Sequence, residues 1–177
     1  MKTLIVIDVQ NDFITGALGS KEAVDILPNI KKKIEAYIDA GDEVIFTRDS
    51  HRENYLTTNE GKHLPIPHCI VGTDGWQIVK EIDHPEFEHI DKSTFGYSVW
   101  GLSISDDGSF SDRNFSEIEI IGVCTDICVI SNALILKAFF PEINITVDAS
   151  CCAGSTPEAH KAALTAMKSC QINIVGE

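Results

Sequence analysis

Two kinds of apolar pattern alternate along this chain. Thr3 to Ile7 is a short, unbroken apolar run, the pattern of a strand buried on both faces. From Asp25 to Ala40 the spacing changes: Ile26, Ile30, Ile34, Tyr37 and Ile38 recur at helical intervals, and Gly41-Asp42 closes the segment. Glu43 to Thr47 predicts a second strand and His89 to Lys92 a short third one. Ile118 to Val123 is a β-branched run that leads straight into a helix over 126–139. Ile143 to Val147 and Ile172 to Val175 are further strands, and Pro157 to Ser169 is a helix with proline in its first turn. The polar stretch from Asp49 to about Thr73, with Pro65 and Pro67, fits neither period, and Asp106 to Ser116 reads as an exposed loop. Apolar strands separated by helices predict a single α/β domain over residues 1–177. It is a three-layer α/β/α arrangement with a mostly parallel, Rossmann-like sheet of roughly six strands.

In such sheets ligands bind beyond the carboxyl ends of the strands. Asp8 ends the first strand, Asp49 and His51 follow the second, Lys92 ends the third and Cys128 follows the fourth. The polar residues with reactive side chains therefore gather on one edge. Cys128 falls in the first turn of a helix, where free amide N–H groups and the macrodipole favour an anion, so its thiol is expected to ionise readily and act as a nucleophile. A lone cysteine after a strand is more often a small buried apolar side chain. Cys124 and Cys128 as half of a metal site is disfavoured, because their three-residue gap is unusual and only the adjacent Cys151-Cys152 could complete it. The neighbours at the strand edge decide for the nucleophile: Asp8 can take and return a proton, and Lys92 can offset developing negative charge.

Asp49-Ser50-His51 puts two ligand-type side chains on one side of an extended backbone, and Glu60 and His68 lie in the following loop. His63 rivals Glu60 as the fourth ligand. Carboxylate and imidazole together suit a divalent ion, zinc first and iron or manganese next, better than calcium or magnesium.

Composition narrows the partners. A net charge of −13 disfavours nucleic acid and anionic membrane surfaces, and Lys31-Lys32-Lys33 reads as one solvated helical turn. The opening LIVI is followed at once by Asp8, so it is a strand and not a secretory segment, and no stretch is long enough to span a bilayer. Six unevenly spaced cysteines fit a reducing, cytoplasmic setting. The apolar helix VISNALILKAFF at 129–140 is more hydrophobic than one buried face requires, which leaves room for a homo-oligomer.

Asp8 in IDVQNDF, Lys92 in DKSTFGYS and Cys128 in GVCTDICV together resemble the isochorismatase-like cysteine hydrolases. TRDSH followed by PIPHCIVGT resembles the metal segment of their nicotinamidase/pyrazinamidase branch, and the likeness runs in order through DASCCAGSTPEAHKAAL. The resemblance implies the isochorismatase-like hydrolase fold, with Cys128 as nucleophile, Asp8 as proton shuttle and Lys92 as charge-stabilising partner. Asp49, His51 and His68 would be metal ligands, with Glu60 ahead of His63 as the fourth. It also implies a cis peptide at Val123–Cys124 and an oxyanion hole built from the Cys124 and Cys128 amides. Phe13, Tyr97 and Trp100 would wall the ring of a small amide substrate. Leu64 stands where the branch often has an aromatic residue, so another amide, carbamoyl or imide substrate is the neighbouring reading. An α/β binding module without catalysis is the remaining one, and the joint presence of Asp8, Lys92 and Cys128 speaks against it.

Overall fold

The protein is described by a computed structural model over residues 1–104 and 110–177. Its elements follow the chain as β1 (Thr3–Ile7), α1 (Asn11–Ile14), α2 (Lys21–Asp25), α3 (Leu27–Ala40), β2 (Glu43–Asp49), α4 (Asn59–His63), β3 (Glu88–Lys92), β4 (Leu102–Ile104) and β5 (Phe110–Asp112). They continue as β6 (Glu117–Val123), α5 (Ile130–Phe139), β7 (Asn144–Ala153), α6 (Pro157–Ser169) and β8 (Asn173–Val175). Six strands form one sheet in the order β3-β2-β1-β6-β7-β8, and every neighbouring pair is parallel. The expected parallel sheet is therefore present, and it is parallel throughout.

Alternation along the strands divides the core in two. Ile5, Ile7, Ile45, Ile118, Ile120 and Val147 point to one face, where Val129, Ala133 and Leu136 of the α5 region and Leu164 and Met167 of α6 pack on them. Leu4, Val6, Val44, Phe46 and Ile121 point to the other, against Ile30 and Ile34 of α3. Burial on both faces is the reason β1 is apolar without interruption.

Several boundaries differ from the sequence reading. The helix expected from Asp25 to Ala40 is α3 and starts at Leu27, with Pro28 in its first turn; a separate helix, α2, precedes it, capped by Ser20 whose Oγ accepts from Ala23 N–H at 3.1 Å. Proline has no N–H to continue the ladder, and its ring crowds the carbonyl four residues back. The polar stretch after β2 is not wholly irregular; α4 forms there, capped by Thr58, whose Oγ1 accepts from Gly61 N–H at 3.0 Å. β7 runs on past Val147 to Ala153, so Cys151 and Cys152 lie inside the strand. Its register against β6 shifts between Ile120 and Gly122, which face Val147 and Cys152 respectively. At that shift Gly122 adopts φ +122°, and a Cβ there would collide with the Ile7 carbonyl oxygen, so the close approach of β6 to β1 requires glycine. The loop expected over 106–116 falls partly outside the described residues; within them, β5 pairs antiparallel with β4.

The chain order of the strands reverses between β1 and β6. That is the topological switch point at which open α/β sheets bind ligands, and the carboxyl ends of both strands meet there.

Candidate active site

Asp8 sits one residue past β1 with φ +51°, fully buried. Thr47 of β2 fixes it from the side: its Oγ1 donates to Asp8 Oδ1 at 2.6 Å, and Asp8 N–H points to the Thr47 carbonyl at 3.2 Å. Lys92, the last residue of β3, reaches across β2 so that its Nζ lies 2.6 Å from Asp8 Oδ2 and donates to Cys128 Sγ at 3.6 Å and to the Thr94 carbonyl at 3.2 Å. Cys128 itself lies in a wide π-type turn over Thr125–Val129, between β6 and α5. The three residues expected on one strand edge are thus in mutual reach, all buried.

Their electrostatics correct one expectation. Burial pushes the Cys128 thiol well above its ordinary value, the Asp8 carboxylate pushes the same way, and Lys92 only partly opposes them. Burial and Asp8 thus favour the thiol form of Cys128, against the thiolate favoured by a helix start. The position in the turn is right, but the dry surroundings dominate. Asp8 is raised by burial against the pull of Lys92, while Lys92 stays protonated because neighbouring negative charge outweighs its own burial. A proton held on sulfur beside a carboxylate of raised pKa is poised for transfer as the sulfur attacks.

The Val123–Cys124 peptide is cis, as the resemblance implied. In the turn that follows, the Ile127 and Val129 N–H groups both donate to the Cys124 carbonyl, at 3.0 and 3.1 Å. The Cys124 N–H, just outside that turn, donates to no backbone acceptor among the described residues and so is available to an oxyanion. Burial pushes the Cys124 thiol up to about 12.

Asp49, His51, Glu60 and His68 bring one ligand atom each to within 4.8 Å of one another. Asp49 Oδ2 is 2.9 Å from His51 Nε2 and 3.5 Å from His68 Nε2, and Glu60 Oε1 is 3.4 and 3.8 Å from the same nitrogens. His51 Nε2 is buried yet has no aligned hydrogen-bond partner even with Asp49 so close. The His68 Nδ1 contact to the Ile66 carbonyl at 2.8 Å turns its Nε2 toward the cluster, the usual outer contact of a metal-binding histidine. An orphaned imidazole nitrogen and two carboxylates converging on one point fit a divalent ion of the zinc, iron or manganese type. Burial lowers the affinity of His51 for a proton, but Asp49 and Glu60 outweigh it and hold the ring up to about 9. Between the rival ligands the geometry favours Glu60: His63 is exposed, with Nδ1 on the Asn59 carbonyl at 2.8 Å.

Both clusters open into one cavity of about 440 Å³. Phe13, Leu18, Leu64, Phe95 and Ile127 supply its apolar walls, with Asp49, Glu60, His68, Cys124 and Cys128 among its polar lining. Phe13 and Leu64 lie where the sequence reading put them. Tyr97 and Trp100 do not line the cavity: Trp100 is fully buried, stacks edge-on with Tyr97 at 5.2 Å, and belongs to the α5 side of the core. Their aromatic bulk is used for packing, and the wall comes from Phe95 instead.

Four supporting residues escaped the sequence reading. Gln10 ties β1 to the metal segment, its Nε2 donating to the Asp49 carbonyl at 2.9 Å and its Oε1 accepting from Asp49 N–H at 2.7 Å. Thr47 holds Asp8, and Tyr55 packs on the rings of His51 and His68 at 4.6 and 5.0 Å. Asn132 is buried four residues after Cys128 and donates to its carbonyl at 2.8 Å. The detectable signal for Asn132 was a single amide in a mostly apolar helix; Gln10 and Thr47 carried none.

Comparison with known proteins places this geometry. The sequence model of the isochorismatase domain matches residues 2–176. A nicotinamidase of Schizosaccharomyces pombe is 25% identical over 98% of this chain and 92% of its own. The solved pyrazinamidase/nicotinamidase of Streptococcus mutans superposes with a TM-score of 0.80 at 29% identity, covering 99% of this chain and 100% of that one. A pyrazinamidase of Pyrococcus horikoshii, solved in complex with zinc, gives a TM-score of 0.77 at 26% identity, with 99% of each chain covered.

Proposed function

The chain belongs to the isochorismatase family, and from that membership we propose that it is a metal-assisted cysteine amidohydrolase that converts nicotinamide and water to nicotinate and ammonia. The observation that carries the proposal is a single cavity lined both by Cys128, which contacts Lys92 and through it Asp8, and by Asp49, Glu60 and His68 of the ligand cluster. Relatives named nicotinamidase, similar over nearly the whole chain, support the substrate.

In this reading the Cys128 sulfur attacks the carboxamide carbon while its proton passes to Asp8. The carbonyl oxygen becomes an oxyanion, held by the Cys124 and Cys128 amides. Asp8 then gives the proton to the amine, the C–N bond breaks and ammonia leaves a thioester on Cys128. Water attacks the thioester with Asp8 as base, nicotinate departs, and the thiol regains its proton. Lys92 keeps its charge throughout and offsets the negative charge that moves between sulfur, oxygen and carboxylate. Asp49, His51, Glu60 and His68 would hold the ion, zinc in the first instance, which supplies a Lewis-acid site for the ring nitrogen and so orients the ring. Phe13 and Phe95 would pack on the ring.

A second reading, hydrolysis of another small amide, is favoured by one observation: Leu64 gives the wall an aliphatic, 36% exposed side chain. Among the described residues no helix is long and apolar enough to cross a membrane. Cysteines that are all free support a cytoplasmic setting.

The test is ammonia release from nicotinamide by the metal-loaded protein, with and without chelator, using Cys128→Ala as the blank. Chelator-sensitive release that is absent from the variant is expected. No release from nicotinamide while other small amides are cleaved would move the substrate to the second reading.

A further inference from the structure

Resting on the amidase reading, we propose that Asn132 is a positioning residue that sets the Phe95 wall of the cavity at a fixed distance from the Cys128 thiol, and so governs how tightly a ring substrate is held. Asn132 is fully buried and uses its whole hydrogen-bonding capacity. Its Nδ2 donates to the Cys128 carbonyl at 2.8 Å and to the Phe95 carbonyl at 3.0 Å. Its Oδ1 accepts from Tyr97 N–H and from Trp100 Nε1, both at 2.8 Å. Asparagine is a mediocre helix former, and a buried amide is tolerated only when fully paired, so an apolar residue would serve this position better if packing were its task.

The destinations of these bonds are informative. One is the nucleophile's own carbonyl, and the other three lie within residues 95–100, the segment that leaves β3 after Lys92. The chain before Phe95 is pinned as well, since Lys92 Nζ donates to the Thr94 carbonyl at 3.2 Å. Gly96 lies against α5, where a Cβ would collide with Ile135. Phe95 is therefore fixed by Lys92 on one side and Asn132 on the other, while its ring, 45% exposed, stands in the cavity wall. One amide holds both the wall and the turn that carries the sulfur.

The experiment is a double-mutant cycle of Asn132→Asp and Phe95→Ala on the metal-loaded enzyme. Asn132→Asp keeps the shape and the Oδ1 bonds but loses both Nδ2 donors. Each single change should raise KM for nicotinamide about tenfold with kcat within roughly threefold, and the double variant should lose little more than either single one. A second readout does not depend on turnover: the rate of Cys128 alkylation by iodoacetanilide relative to iodoacetamide. That ratio should fall in both single variants and not fall further in the double one. If Asn132→Asp folds poorly by thermal denaturation, Asn132→Ser takes its place in the cycle. Additive losses, a fall in kcat with KM unchanged, or an unaltered alkylation ratio would overturn the proposal. Wild-type protein that releases no ammonia from nicotinamide would sink only the substrate reading, and the alkylation ratios would still decide the role of Asn132.

Discussion

Two lysines packed against this sheet, half-buried Lys33 and buried Lys92, each meet two carboxylates, and they do different work. Lys33 of α3 lies 2.6 Å from Glu119 and 2.9 Å from Asp148, on the α3 side of β6 and β7. Every carboxylate oxygen in that group is engaged: Tyr37 OH donates to Glu119 Oε2 at 2.7 Å, and the Ser150 N–H and hydroxyl donate to Asp148 Oδ1 at 3.0 and 2.6 Å. Lys92 lies 2.6 Å from Asp8 and 3.9 Å from Asp49 at the carboxyl ends of the strands. There Asp8 Oδ2 has no aligned donor despite its charged neighbour, and His51 Nε2 is an orphan. A saturated network locks a fold, whereas an unsaturated one in a dry cavity is held ready for a ligand or a proton. The same residue types at similar distances are distinguished by what remains unpaired.

Breaking the two networks should separate activity from stability. The largest effect is expected from Cys128→Ala, which should lower turnover by roughly 10⁴-fold or more while leaving thermal denaturation nearly unchanged. Cys124→Ala should keep most activity, because only its backbone amide is used. If Cys124→Ala is the lethal change in the ammonia assay, the nucleophile is wrongly assigned.

Asp8→Asn comes next. It removes the proton carrier, so turnover should fall by roughly 10²–10⁴-fold. It also strands the buried Lys92 charge, with a loss of about 3 kcal/mol or more in denaturant unfolding. Full activity in this variant would remove Asp8 from the mechanism.

Replacing His51 and His68 together by alanine should strip bound metal, read by elemental analysis of purified protein. Metal uptake should also depend on pH in a set direction. With His51 held up to about 9 in the metal-free cluster, an ion must displace its proton. Affinity should therefore rise with pH from neutrality to about 9 and level off above it, and a flat titration would contradict the ligand set.

The smallest effect belongs to Lys33→Met, which should cost about 1 kcal/mol of stability and leave kcat and KM unchanged. Burial raises the Asp148 carboxyl, but Ser150 and Lys33 outweigh it and hold the group below its ordinary value. A carboxyl depressed in the folded state contributes stability above its unfolded pKa of about 3.9 and loses it as the pH falls. The gap between wild type and variant should thus be full at neutral pH and close below about 4. An equal gap at all pH values would show that Lys33 acts through packing alone.

The sequence by itself carried the layered α/β plan, because strands buried on both faces must be apolar throughout, as Thr3 to Ile7 is. It also carried the convergence of Asp8, Lys92 and Cys128, since each lies at or just past the carboxyl end of a strand. It resolved less where local pattern competes with tertiary context. The break at Ile26 needed the geometry of Pro28, and the extension of β7 through Cys151 and Cys152 depended on pairing with β6 across a register shift. Tyr97 and Trp100 could not be told from cavity walls by residue type, because an aromatic ring packs equally well in a core or against a substrate.

Three things were decided only in the folded molecule. Glu60 in place of His63 followed from a one-turn helix that aims one side chain inward and leaves the other in solvent. The upward push on the Cys128 thiol followed from burial and the nearness of Asp8, quantities that no local window of residues contains. The bonds of Asn132 to residues 95–100 join segments more than thirty residues apart. Backbone periodicity is written locally and can be read locally. Desolvation, convergence of ligands and the pairing of buried polar groups exist only once distant segments have met.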